Sequence, residues 1–98
     1  MGPTRNGTRT ARAVAEIVNK RGLHARASAK FVETAARFPC EVTVTKDGIS
    51  VSGCSIMGLM MLGVGLGTTV ELSAHGKDAD AAIRALLALI AAGFREDS

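Results

Sequence analysis

The sequence predicts an α+β two-layer sandwich, and three observations carry that prediction. The apolar periodicity switches between two and 3.6 residues, giving four short strands and three helices in the order β-α-β-β-α-β-α within 98 residues. The strands alternate apolar and polar side chains, so one sheet face is expected in solvent and the helices on the other. The composition, 47% hydrophobic and 21% charged, supplies a real core, and the length suits a single domain.

Residues 1–10 are polar and rich in Gly, Thr and Arg; they read as a flexible basic tail ahead of one domain over 11–98. Ala11–Asn19 holds Val14, Ile17 and Val18 before a polar run and reads as the first strand. Gly22-Leu23-His24 leads into a helix over Ala25–Phe38, where Ala27, Phe31, Ala35 and Phe38 form an apolar stripe that Pro39 stops. Glu41–Thr45 alternates with period two, Asp47-Gly48 is a hairpin turn, and Ile49–Ser52 alternates on its far side. Ser55 can cap a short apolar helix over Ile56–Leu62, ended by Gly63. Thr69–Ala74 alternates again and Gly76 breaks it. Asp78 can cap the last helix, whose Ile83, Leu86, Leu87 and Ile90 share a face and which Gly93 ends.

Charge says more by position than in total. The net charge is +3, but Arg5, Arg9 and Arg12 all precede the first acid, Glu16, and the remaining nine basic and nine acidic residues balance. A globally basic nucleic-acid binder is not built this way, so no nucleic-acid partner is expected. Three aromatic residues are too few for stacking platforms. Within the domain, Lys20, Arg21, Arg26, Lys30 and Arg37 face only Glu33 and make a local anion-attracting patch. Cys54–Leu66 is apolar but short and interrupted by glycines, so no membrane insertion is expected. Cys40 and Cys54 are too few for a disulfide scaffold, which makes the cytoplasm the natural compartment. No metal-ligand spacing occurs among His24, His75 and the cysteines, and no metal or cofactor is expected.

His24 stands out chemically. It lies at the start of the first helix, where unpartnered backbone N–H groups and the helix dipole favour an anion. Arg26 follows two residues on, and Lys20, Arg21 and Lys30 lie nearby. A neutral imidazole there can accept a phosphoryl group, with the amides of Ala25, Arg26 and Ala27 and the Arg26 guanidinium holding the phosphate oxygens. The competing reading is a histidine that merely caps the backbone. Ser55 as a simple N-cap, Ile56–Met61 as core, Cys54 as a small buried or half-buried residue, and His75 in a turn are readings of the same plain kind. Gly63-Val64-Gly65-Leu66-Gly67 lacks a phosphate loop's lysine and reads as a tight connector.

The segment Asn19-Lys20-Arg21-Gly22-Leu23-His24-Ala25-Arg26-Ala27-Ser28-Ala29-Lys30-Phe31-Val32 resembles the active-site segment of the HPr family. These are histidine-containing phosphocarriers of the bacterial phosphoenolpyruvate-dependent phosphotransferase system. Ser55-Ile56-Met57-Gly58-Leu59 resembles the family's second signature, and the resemblance spans about Ala13 to Phe94. It implies the HPr-like open-faced sandwich, a four-stranded antiparallel sheet covered on one face by three helices. It further implies that His24 takes a phosphoryl group on Nδ1 from Enzyme I and passes it to a IIA domain, with Arg26 beside it. Ser55 would be the serine modified by an HPr kinase/phosphorylase. Ile56, Met57, Met60 and Lys30 would help contact partners, the carrier acting as a monomer and not as a stand-alone enzyme.

One departure is Ala27, where the family usually has proline. The lead-in Asn19–Gly22 and the ending Gly93–Asp97 resemble the nitrogen-related branch, NPr, while Ser55–Gly58 resembles HPr of bacteria with the kinase. Two rivals remain at this stage. One is a regulatory module that acts by partner binding through Ile56–Met61; the other is a nucleic-acid binder using the basic tail.

Overall fold

The structure is a computed structural model that describes residues 9–96. Its elements are β1 (Thr10–Glu16), α1 (Ala25–Ala35), β2 (Cys40–Lys46), β3 (Ile49–Ser52), α2 (Ile56–Met61), β4 (Thr69–Gly76) and α3 (Ala79–Ala91). A 3-10 turn over Gly93–Arg95 follows α3. The strands form one sheet in the order β1-β4-β2-β3, every neighbour antiparallel. This is the expected four-stranded open sheet with three helices.

Strand parity decides what is buried. Ala11 and Ala15 of β1, Val42 and Val44 of β2, and Val70, Leu72 and Ala74 of β4 point into the core. On the other face Val14 is 67% exposed, beside the exposed Arg12, Glu16 and Glu71. The helices close the inner face with Ala27, Phe31 and Ala35 from α1, Leu59 from α2, and Ala82, Ile83, Leu86 and Ile90 from α3. Phe94 lies beyond α3 and is fully buried.

Several boundaries differ from the sequence expectation. Thr10, assigned above to the tail, is paired with His75 in β1, and residues 1–8 lie outside the described residues. Ile17–Asn19 leave the ladder because β4 begins only at Thr69, after Gly67 at φ 85°. Ile17 stays tied, donating to Thr68 O and accepting from Gly67 N at 2.8 Å each. Helix α1 ends at Ala35, since Arg37 and Phe38 tighten into i−3 bonds ahead of Pro39.

β4 continues through His75 and Gly76, so His75 is a strand residue whose Nδ1 meets Thr10 Oγ1 at 2.7 Å. Asp78 sits left-handed (φ 62°) before α3 and its side chain makes no cap bond. Cys54 is exposed: it lies in the turn after β3, where its amide donates to Ser52 Oγ.

The open face makes a testable contrast. Leu72→Ala should cost about 2–5 kcal/mol in urea unfolding, whereas Val14→Thr should stay within about 0.5 kcal/mol. Equal losses would contradict the one-sided sheet.

Candidate functional site

The turn before α1 is built by backbone contact. Gly22 adopts φ 62°, and a Cβ there would lie 2.1 Å from Val64 O, so glycine is required on both counts. Leu23 N donates to the same Val64 carbonyl at 3.1 Å. The connector between α2 and β4 therefore holds the turn that delivers His24, and its Gly63–Gly67 run is a connector as expected.

His24 is the N-cap residue of α1 in extended conformation (φ −75°, ψ −177°), yet its side chain makes no cap bond. The plain capping reading of this histidine is thereby excluded. Its carbonyl accepts from Ser28 N, while the Ser28 hydroxyl donates back to Leu23 O. The amides of Ala25, Arg26 and Ala27 have no backbone acceptor among the described residues. Ala25 and Arg26 are exposed there, but Ala27 is fully buried as part of the apolar stripe. The trio expected around a phosphate thus has two exposed members. Arg26 enters no ion pair among the described residues.

The imidazole is partly covered from the far end of the chain. Glu96 Oε2 accepts a hydrogen bond from His24 Nε2, and Glu96 Oε1 accepts from Asn19 Nδ2 at 3.1 Å. Asn19 is buried and also donates from Nδ2 to Gly22 O at 2.9 Å. Two acceptors on one nitrogen fix the orientation of that amide. Lys30 Nζ donates to Phe94 O at 2.6 Å and so anchors the turn that carries Glu96. With Nε2 on the carboxylate, Nδ1 makes no hydrogen bond among the described residues and is the free ring nitrogen.

Neither Asn19 nor Glu96 was singled out as a site residue from the sequence. Asn19 carried a signal: Ala15, Ile17 and Asn19 share one parity, so a polar side chain lands on the inward face. Glu96 carried only the hint of Phe94, an apolar residue just after a helix-ending glycine, which brings the chain back onto the domain. Nothing in the spacing joins residue 24 to residue 96.

Ser55 is half-buried and caps α2, its Oγ accepting from Gly58 N at 2.9 Å. Helix α2 buries Leu59 and exposes Met57 by 69% and Met61 by 78%, with Ile56 and Met60 also exposed. The core reading of Ile56, Met57, Met60 and Met61 fails because a six-residue helix that packs one face against α1 and β3 has no cover for the other.

Hydrogen bonding to His24 holds the Glu96 carboxyl below its ordinary value of 4.5; the Asn19 bond adds to this and burial opposes it. A folded value below the unfolded one stabilises the fold above about pH 4.5, a contribution lost as pH falls through the lowered value. Glu96→Gln should therefore be less stable near neutral pH and show a flatter acid limb in urea unfolding. Identical acid limbs would show that the carboxylate is uncoupled from folding.

A family model described as "PTS HPr component phosphorylation site" matches residues 11–92. The phosphocarrier protein HPr of Neisseria meningitidis serogroup A is 56% identical over 81 residues, covering 83% of this chain and 91% of the relative. The phosphocarrier protein NPr of Shewanella violacea is 45% identical, covering 84% and 90%. Among solved structures, HPr-C-His from Thermoanaerobacter tengcongensis superposes with a TM-score of 0.86 at 48% identity, over 90% of this chain and 99% of that one. With a family model matching residues 11–92 and relatives at 45–56% identity, the chain belongs to the HPr family of phosphotransferase-system phosphocarriers.

Proposed function

We propose that His24 is the phosphoacceptor, taking a phosphoryl group from Enzyme I and passing it to a IIA domain. The observation that carries this reading is the pairing of Nε2 with Glu96, which leaves Nδ1 free beside the first amides of α1. A carboxylate that accepts from one ring nitrogen fixes the tautomer and directs nucleophilic character to the other. The Nδ1 lone pair attacks phosphorus in line, and the bond from phosphorus to the donor breaks as the N–P bond forms. The Nε2 proton stays on the ring, held by Glu96. The amides of Ala25 and Arg26, the helix dipole and the Arg26 guanidinium oppose the charge on the equatorial oxygens. Transfer to the acceptor is the same displacement in reverse.

Ser55 is the regulatory site in this reading. Phosphate on its Oγ would add about −1.5 to −2 charge beside Ile56, Met57 and Met60. These exposed side chains form the docking patch, and the added charge would repel an acidic partner surface. The carrier is a cytoplasmic relay in this account; among the described residues no helix is long and apolar enough to cross a membrane.

The test is intact-mass spectrometry after incubation with phosphoenolpyruvate, magnesium and Enzyme I of the sugar or nitrogen type. The wild-type chain should gain one acid-labile phosphate and His24→Ala none, the variant remaining folded because a helix-start residue contributes only about 1 kcal/mol. Arg26→Ala should slow transfer about tenfold to a hundredfold without abolishing it. No phosphate with either Enzyme I would sink the relay reading. Ser55→Asp should raise the KM for Enzyme I while leaving kcat nearly unchanged; acceptance at the full wild-type rate would remove Ser55 from the switch.

A further inference from the structure

A cleft of about 320 Å³ opens between α1 and α3, and the reading of His24 makes no use of it. Its walls carry three cations, Lys30, Arg37 and Arg95, against a single carboxylate, Glu33. Its apolar lining is Ala85, Ala88 and Leu89 of α3. The volume is at the lower end of small-molecule sites.

The cations are not used up by the fold. Among the described residues the ion pair of an arginine or lysine is Arg9 with Asp80, and His24 meets Glu96 through a hydrogen bond, so Arg37, Arg95 and Glu33 take no part in one. Lys30 gives one of its three N–H groups to Phe94 O and keeps the others. Arg95 reaches the cleft from a left-handed backbone (φ 60°), directly after Phe94 at φ 57°. A non-glycine residue held in that region is over-determined by its surroundings; here the buried Phe94 ring and its Lys30-bonded carbonyl fix the turn from which Arg95 projects. Arg95 is thus presented from a held turn.

We infer that this cleft binds a small organic dianion with a short carbon skeleton. The lining residues, three cations and one carboxylate, carry a net charge of +2 and call for a doubly negative ligand, and a guanidinium fork matches either a phosphate or a carboxylate edge. The apolar lining favours a ligand that brings carbon to it over a bare inorganic ion. A cleft of about 320 Å³ has room for a molecule of a few carbons. Phosphate monoesters and dicarboxylates share this chemistry and are separated by experiment.

The experiment is an amide NMR titration of the full chain, in low salt, with glycerol 3-phosphate, succinate, inorganic phosphate and acetate. The first two should saturate at a dissociation constant of about 1 mM or tighter. Shifts should centre on Ala88, Leu89 and Arg95, with inorganic phosphate and acetate weaker. Tighter binding of glycerol 3-phosphate would assign the cleft to phosphate esters, and tighter binding of succinate to dicarboxylates. The paired substitution Arg37→Gln with Arg95→Gln should weaken binding at least about tenfold. Both side chains are exposed, so the variant should keep the wild-type fold in the same spectra. Arg26→Ala, outside the cleft lining, should leave the affinity as it was. Affinity unchanged in the paired variant, affinity lost in Arg26→Ala, acetate binding as tightly as succinate, or no saturation with any probe would each overturn the inference.

Discussion

The close approach of Gly22 to the Val64 carbonyl is the constraint on which the rest of the site depends. There is no room for a side chain at that crossing, and Leu23 N uses the same carbonyl as its acceptor. One backbone oxygen of the α2–β4 connector therefore sets where the chain turns into α1. A second tie holds the neighbouring stretch, because Ile17 exchanges hydrogen bonds with Gly67 and Thr68 at the start of β4. His24 inherits its position from backbone that is itself fastened to the sheet. That is the preorganisation a phosphoryl transfer needs, since most of its catalysis is placement.

The opposite wall of the site is less economical. After α3, Gly93, Phe94 and Arg95 all adopt positive φ, and two of them are not glycine. Each such residue costs on the order of 1–3 kcal/mol. Complete burial of Phe94 offsets about 1.5–3 kcal/mol of this, and the Lys30 bond to its carbonyl contributes more. What the strained turn delivers is Glu96, whose two oxygens reach His24 and Asn19. Strain concentrated beside His24, with its compensation in the adjoining core, is a pattern of functional sites.

The fold was legible because local signals and global packing agree in this chain. The period-two runs at Val42–Thr45 and Thr69–Ala74, the Asp47-Gly48 hairpin and the α1 stripe each had one consistent partner face. Boundaries were less legible where a partner sets them: β1 stops at Glu16 because β4 begins at Thr69, 53 residues on. The site divides along the same line. His24, Arg26 and Ser55 sit at helix starts, and helix starts are written locally. Glu96 is placed by a turn after α3 and Asn19 by its parity at a strand end, so their meeting with His24 is a property of the folded chain. Of the α1–α3 cleft only the α1 side was legible, as the anion-attracting patch of Lys30 and Arg37 against Glu33; Arg95 has no sequence relation to them.

In the proposed relay, chemistry and recognition are given different materials. The groups around His24 are backbone amides, a buried amide side chain and a carboxylate held at both oxygens, all of which resist displacement. The neighbouring face of α2 offers Met57, Met60 and Met61, unbranched and exposed, on a helix only six residues long. A phosphocarrier meets a donor and an acceptor of different shape with one surface, while the reacting nitrogen must sit alike in both complexes. A methionine surface can repack against each partner at small cost. The fixed core of the site then keeps that adaptation from reaching the imidazole.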